Sequence, residues 1–238
     1  MYRMNDRLTP FREGPAAIAL TAAKRPVVIV PAAIKYHYLE DPTPELDRLM
    51  DKLEEEIFWR PRRDLSLSER IYRFAEGALA LKELEYTGHT SAGRLPERIG
   101  QLSEFILSQL EERHGAPRGG ATIPERIKSL RQRTIKKLEA LGEDDPQREP
   151  SEHDLDDVFL VVQLFSYPGD YVAEAPASIE RIAETLDKFE EDVLGASRAA
   201  IRTPRRATVA LDEPIVVEPD SERRQAGPQL TRFLEERV

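Results

Sequence analysis

The stretch LTPFREGPAAIALTAAKRPVVIVPAAIKY, from Leu8 to Tyr36, decides the fold of this chain. Its pattern predicts a loop, an alanine-rich helix and then a strand. The run from Val27 to Val30 is wholly β-branched, which is typical of strands covered on both faces in parallel sheets. Pro31 ends regular pairing, because proline has no amide hydrogen to donate to a neighbouring strand. One helix and one strand cannot bury two apolar faces, so we expect this unit to need partners.

The composition excludes several classes of function. The 238 residues include 44 acidic and 35 basic side chains, a net charge of −9, which argues against nucleic-acid binding. The absence of cysteine excludes disulfides and thiolate chemistry. No apolar run reaches the roughly 18 residues of a membrane span and there is no secretory signal, so we expect a cytoplasmic protein, or one peripheral to the inner face of the membrane. The histidines are scattered without metal-ligand spacing, so we expect no bound metal: His37, His89, His114 and His153.

The middle of the chain has the pattern of a helical insertion. From Asp41 onward apolar residues recur at helical spacing, and capping boxes begin at Ser66 and Thr122. The run Val158–Val162 is compatible with a strand, but its polar, helix-capped lead-in favours a helix buried all round. The predicted fold is therefore an α/β remnant, an incomplete small sheet with flanking helices at the two ends, with a large all-α insertion. We assign residues 1–41 and 204–238 to the α/β core and residues 42–203 to the insertion.

The tripeptide Glu-Arg-Ile occurs four times, and its first three copies, beginning at Glu69, Glu97 and Glu125, are spaced evenly by 28 residues. A helical repeat would give this register. The alternative, which the differing loops favour, is that helix starts commonly carry an acid early and an apolar residue soon after.

Two distant segments carry a resemblance to a known family. PFREGPAAIAL followed by VVIVPAAI, and then TVALDEPIVV near the other end, resemble the glycerolipid acyltransferases that act on lysophosphatidic acid (1-acyl-glycerol-3-phosphate). Val30–Ile34 match the Val-Pro-x-x-Ile motif of that family. Glu213–Ile215 match its late Gly-Glu-Pro-Ile motif, although Asp212 stands where glycine is usual.

The resemblance implies acyl transfer from coenzyme A or acyl carrier protein to the hydroxyl of a lysophospholipid or glycerol phosphate, in phospholipid biosynthesis, with no further cofactor. In the family, a His and an Asp five positions later act as general base and orienting group. None of the four histidines here has an Asp at that spacing, and the family's Phe-Pro-Glu-Gly motif is absent. We therefore expect an N-terminally truncated fragment, inactive by itself. The alternative is a non-catalytic helical interaction module, and the oligomeric state stays open.

The candidate substrate-binding residues are Arg3, Arg7 and Pro31. The two arginines fall where the family has basic residues after its phosphate motif, so they are candidates to contact the acceptor phosphate, or else are solvated loop residues. The predicted role of Pro31 is to shape the strand end beside the site. His37 follows that strand but lacks a suitably spaced Asp, which favours a surface histidine.

Three further features have two interpretations each. The segment Phe58–Arg63 suits a membrane interface, or a helix end that packs Phe58 and Trp59 beneath the bundle. Tyr167 and Tyr171 suit an acyl passage, or simple packing. A basic face suits anionic lipid or an acidic carrier protein, or a solvated surface; its members are Arg126, Lys128, Arg131, Arg133, Lys136 and Lys137.

Overall fold

The computed structural model describes residues 4–22, 26–116, 121–173, 177–217 and 226–238. Within these ranges the chain is mostly helical with a small β component, which confirms the predicted fold class. The elements in order are α1 (Gly14–Ala22), β1 (Val27–Ile29), β2 (Ala32–Tyr38), α2 (Thr43–Glu56), α3 (Leu67–Thr87), α4 (Leu95–Arg113), α5 (Ile123–Ala140), α6 (Arg148–Phe165), α7 (Ile179–Asp192), β3 (Arg205–Leu211), β4 (Ile215–Val217) and α8 (Ala226–Glu236).

The chain divides into two compact units. A helical unit comprises residues 45–178 and 185–200, and a sheet unit comprises residues 4–44, 179–184 and 201–238 among those described. The boundary falls inside α7, between Glu184 and Thr185.

The core of the helical unit lies between α3, α4, α5 and α6. Leu102, Leu107 and Leu110 of α4 are at most 2% exposed, and they pack with Leu130 of α5 and Val161 of α6. These positions recur at helical spacing, so their burial accounts for much of the stability of the unit.

Helices α3, α4 and α5 begin in the same way. The first turn of each contains a glutamate that bonds back to the residue preceding the helix: Glu69, Glu97 and Glu125. The next residue is an arginine, and each arginine bonds a buried glutamate near the end of the preceding helix; the pairs are Arg70 with Glu54, Arg98 with Glu83, and Arg126 with Glu111. The capping glutamates are what helix starts commonly carry, as the alternative holds, while the cross-helix pairs add a repeated ionic contact that favours a helical repeat.

One expectation about α6 is wrong. It is a helix, as predicted, and Val158 and Val161 are buried, but it is not buried all round. Phe159 is 53% exposed and Val162 is 42% exposed, because the neighbouring helices cover only the opposite side.

The strands of the sheet unit form two ladders of two strands each. β1 pairs antiparallel with β4, and β2 pairs antiparallel with β3 over seven residues, from Ala32 opposite Leu211 to Tyr38 opposite Arg205. Pro31 lies between the ladders, and its carbonyl accepts a hydrogen bond of 3.0 Å from the Asp212 amide. The expectation of one small sheet is therefore wrong, since the proline separates two ladders.

The expectation of a covered parallel strand at Val27–Val30 is also wrong. Both ladders are antiparallel, and Val28 and Val30 are 57% and 46% exposed. Only one face of β1 is covered, because α1 packs beside it and against α8. The β2–β3 ladder likewise exposes an apolar face, on which Ile34 and Val209 are direct cross-strand partners at 57% and 58% exposure.

Candidate functional site

The three predicted substrate-binding residues lie in different surroundings or outside the described residues. Arg3 lies outside the described residues. Arg7 lies in the segment before α1 and is half-buried. Pro31 is buried at the junction of the two ladders, where its carbonyl accepts the Asp212 bond. Binding of the acceptor phosphate by the arginines stays a prediction.

His37 does not form a close catalytic pair. Its Nδ1 lies 3.7 Å from Glu180 Oε1, beyond hydrogen-bond distance, and its side chain is about half exposed on β2. Glu180 instead accepts a bond from the Tyr38 amide at 3.2 Å.

A buried histidine–aspartate pair was not predicted from the sequence. His114 Nε2 lies 2.8 Å from Asp154 Oδ2, and both side chains are almost fully buried. Arg113 contacts the same carboxylate at 2.6 Å. The pair joins the end of α4 to α6 and has little access to solvent, so we assign it a structural role. Its 40-residue separation left no signal in the sequence.

The aromatic and basic segment after α2 is only partly as predicted. Trp59 packs on α3, where the guanidinium of Arg73 lies 5.0 Å from the ring centroid. Phe58, in contrast, is 98% exposed with a φ of 61°, so the interpretation that both aromatics pack beneath the bundle is wrong for Phe58. The positive φ directs the chain so that only Trp59 reaches α3.

The basic face of α5 is smaller than predicted. Arg126 does not contribute to it, because its guanidinium donates hydrogen bonds to Glu104 and Glu111. These bonds, led by the one from Glu104, raise the pKa of Arg126. The exposed members are Lys128, Arg131, Arg133 and Lys136.

An apolar cavity lies within the helical unit, among the described residues. Its volume is about 340 Å³, within the range of small-molecule sites. Tyr167 and Tyr171 both line it, and they follow the end of α6. The other principal lining side chains come from α3, α4, α6 and α7: Ile71, Phe74, Ala75, Ala78, Leu79, Lys82, Leu95, Ile99, Leu160, Gln163, Leu164, Thr185, Phe189 and Asp192.

Aromatic contacts form one part of the cavity wall. The ring of Phe189 lies 5.1 Å from that of Phe74 and 5.3 Å from that of Tyr167, both tilted, at the separations that aromatic pairs favour. These rings have few rotatable bonds, so this part of the wall is preformed.

The loop that carries the tyrosines is held by two close contacts. Tyr72 of α3 donates a 2.7 Å hydrogen bond to the Gly169 carbonyl. Gly169 has a φ of 73°, and a Cβ there would lie 3.0 Å from Pro96 of α4. Glycine is therefore required for the loop to approach α4 and close the cavity.

The polar groups of the wall are concentrated around Asp192. Tyr167 donates to Asp192 Oδ2 at 2.7 Å, and Lys188 Nζ lies 2.6 Å from the same oxygen. Gln163 approaches Oδ1 at 3.5 Å. The carboxylate is thus matched by an ammonium group, and this polar corner carries no net charge.

The fold and the site together define a mostly helical chain with a small antiparallel β component and an apolar cavity among its helices. No protein-family model, curated protein or solved structure matches it. None of the described helices has both the length and the apolar character needed to cross a bilayer. The described residues contain no group of three or more acidic or histidine side chains arranged to hold a metal ion.

Proposed function

We propose that this chain takes part in acyl transfer to glycerophospholipids in phospholipid biosynthesis, at the cytoplasmic side of the membrane. The reaction would move an acyl group from coenzyme A or acyl carrier protein to the free hydroxyl of a lysophospholipid or glycerol phosphate. The observation that carries the proposal is the pairing of the two segments on which the family resemblance rests. They are about 170 residues apart, yet β1 pairs with β4, β2 pairs with β3, and Asp212 bonds Pro31 between them.

Two of the described histidines, His37 and His114, are poorly placed to act as the reaction's general base. His37 lacks a close acid and His114 is buried with Asp154. We therefore propose that this chain by itself does not catalyse transfer and that the base lies on polypeptide beyond it. Arg7, with Arg3, would then contact the acceptor phosphate.

An acyl-transfer assay tests this proposal, with dodecanoyl lysophosphatidic acid as acceptor and acyl-CoA or acyl carrier protein as donor. It compares this chain with one extended by whatever coding sequence lies upstream in frame. We expect turnover only in the extended form, and Arg7→Gln in that form should raise the KM for the acceptor. An absence of turnover in both forms would contradict acyl transfer.

The second candidate is a helical interaction module without chemistry. It is favoured by the repeated helix starts of α3, α4 and α5, since stacked helical repeats commonly form binding surfaces. Inactivity of both forms in the assay would favour this candidate.

A further inference from the structure

The cavity of the helical unit extends along one face of α3. Ile71, Ala75, Ala78 and Lys82 all line it, and their spacings of four, three and four place them on one face of the helix. The eleven helical steps from Ile71 to Lys82 span about 16 Å. A cavity of about 340 Å³ has room for one hydrocarbon chain laid along this face of α3.

The two ends of this line differ in exposure and polarity. At one end Ile71 is 2% exposed and Phe74 is fully buried. At the other end Leu81 is 56% exposed, and the Lys82 side chain is 45% exposed. The cavity therefore runs from a buried apolar end to an open end that carries an ammonium group.

The charges of the wall determine which end receives a ligand head group. Asp192 is already matched by Lys188, so the polar corner offers no uncompensated cation, and an anionic head buried there would be costly. Lys82 is held by Glu85 at 2.8 Å, in a pair in which both side chains are about half exposed. Exposed ion pairs of this kind are weak, so the Lys82 ammonium can leave Glu85 and bind the anionic group of a ligand instead.

We propose that the helical unit binds a single-chain anionic amphiphile, with its hydrocarbon chain along α3 and its carboxylate or phosphate beside Lys82. This site is separate from the sheet unit that carries the resemblance. Binding is measured directly and without turnover, so its failure is distinguishable from failure of acyl transfer.

Calorimetric titration below the micelle concentration tests the chain first. The probes are octanoate, decanoate and dodecanoate. Affinity should rise about fourfold for each added methylene until the cavity is filled, as expected for burial of one methylene at a time. Equal affinity across the series would overturn the proposal.

Three further probes with a twelve-carbon chain test the head group: dodecanoyl lysophosphatidic acid, monododecanoyl glycerol and dodecyltrimethylammonium. Lys82→Gln should weaken the binding of both anionic probes, dodecanoate and dodecanoyl lysophosphatidic acid, about tenfold, and should leave the affinity for the neutral glyceride unchanged. Glu85→Gln should strengthen the binding of both anions. Lys128→Gln, at an exposed lysine of α5, is the matched control. Comparison of dodecanoate with the lysophosphatidate distinguishes a fatty acid site from a lysophospholipid site. Strongest binding of the cation would overturn the proposal.

Blocking variants test the location. Ala78→Phe fills the cavity midway along α3 and should abolish binding of all probes, while Ala140→Phe at the exposed end of α5 should not. If Ala78→Phe does not fold, Ala75→Leu introduces a smaller obstruction and should weaken dodecanoate more than octanoate. Unchanged binding in a folded cavity variant would place the ligand elsewhere and overturn the proposal.

Discussion

Arg98 donates from Nε and Nη2 to the two carboxylate oxygens of Glu83, at 3.1 and 2.6 Å, across the interface between α4 and α3. Arg126 makes the same forked contact with Glu111 one helix later, at 2.6 and 3.0 Å. The planar guanidinium matches a carboxylate in this geometry, so each pair fixes how one helix lies against the helix before it. The repeat of these helices is therefore a repeat of ionic contacts as well as of sequence.

Loss of one partner of the Arg98–Glu83 pair should be strongly destabilising. Arg98→Met leaves the Glu83 carboxylate buried without its cation, and we expect a loss of about 3–5 kcal/mol in the free energy of unfolding. The double variant Arg98→Met with Glu83→Met should recover most of that loss, because neither charge is then buried. Urea unfolding at neutral pH measures both. The control is Arg94→Met, which removes an exposed pair with Glu97 and should cost less than about 1 kcal/mol. Equal losses for Arg94→Met and Arg98→Met would contradict this account.

The same carboxylate should contribute to acid unfolding. Burial, the largest influence, raises the pKa of Glu83, but the bonds from Arg98 and Ser91 outweigh it, and the pKa lies below its ordinary value of 4.5. Its stabilisation is therefore complete above pH 4.5 and is lost as the pH falls through the lowered pKa. Urea midpoints measured between about pH 6 and pH 3 should fall less steeply in Glu83→Gln than in the unmodified chain. Parallel curves would show that Glu83 does not contribute.

Much of the helical unit was predictable because its signals are local. Apolar spacing and the capping boxes at Ser66 and Thr122 are read within a few residues, so the helices of the insertion were found. The sheet was misjudged at Val27–Val30, because a β-branched run is equally compatible with a covered parallel strand and with a half-exposed antiparallel one. Which occurs depends on β4, nearly 190 residues away.

The candidate site was predictable only in fragments. Tyr167 and Tyr171 were identified as possible lining residues, and both line the cavity. The line along α3 from Ile71 to Lys82 was not identified, because apolar residues at helical spacing predict a core face whether or not a cavity lies beside them. Only the packing of Phe189 and the tyrosine loop opposite α3 decides between the two.

Gly77 should tolerate no side chain. A Cβ at this position would lie 2.4 Å from Cη2 of Trp59, so the ring would have to shift from its contact with Arg73. Alanine favours helix by up to about 1 kcal/mol over glycine, but overpacking costs about 1–3 kcal/mol, so we expect Gly77→Ala to destabilise. Thermal unfolding checks the sign, and tryptophan fluorescence should report the displaced ring. The control is Gly100→Ala, where a Cβ meets nothing within 4 Å and should stabilise. A stabilised Gly77→Ala would show that Trp59 moves freely.

The exposed face of the β2–β3 ladder should promote association. Ile34 and Val209 are cross-strand partners, both more than half exposed, and exposed apolar sheet surfaces favour self-association. The double variant Ile34→Thr with Val209→Thr should bind less of an apolar-surface dye and aggregate at higher concentration. The free energy of unfolding should change by less than about 1 kcal/mol, because threonine also favours strands. Ala210→Thr, on the opposite face, is the control and should leave dye binding unchanged. Equal dye binding by the unmodified chain and both variants would show that the dye-binding apolar surface is not this face of the ladder.

The left-handed backbone conformation of Phe58 should destabilise the protein. Its φ of 61° lies in the left-handed region, which disfavours any residue with a Cβ by about 1–2 kcal/mol, and its 98% exposed ring gains almost nothing from packing. Glycine removes the strain but is more flexible when unfolded, so Phe58→Gly should stabilise by a net of about 0.5–1 kcal/mol. Phe58→Ala separates the two contributions, since it removes the ring and keeps the strain, and it should change stability little. Urea unfolding of the three proteins decides the matter: if alanine stabilises as much as glycine, the cost lies in the exposed ring and not in the backbone.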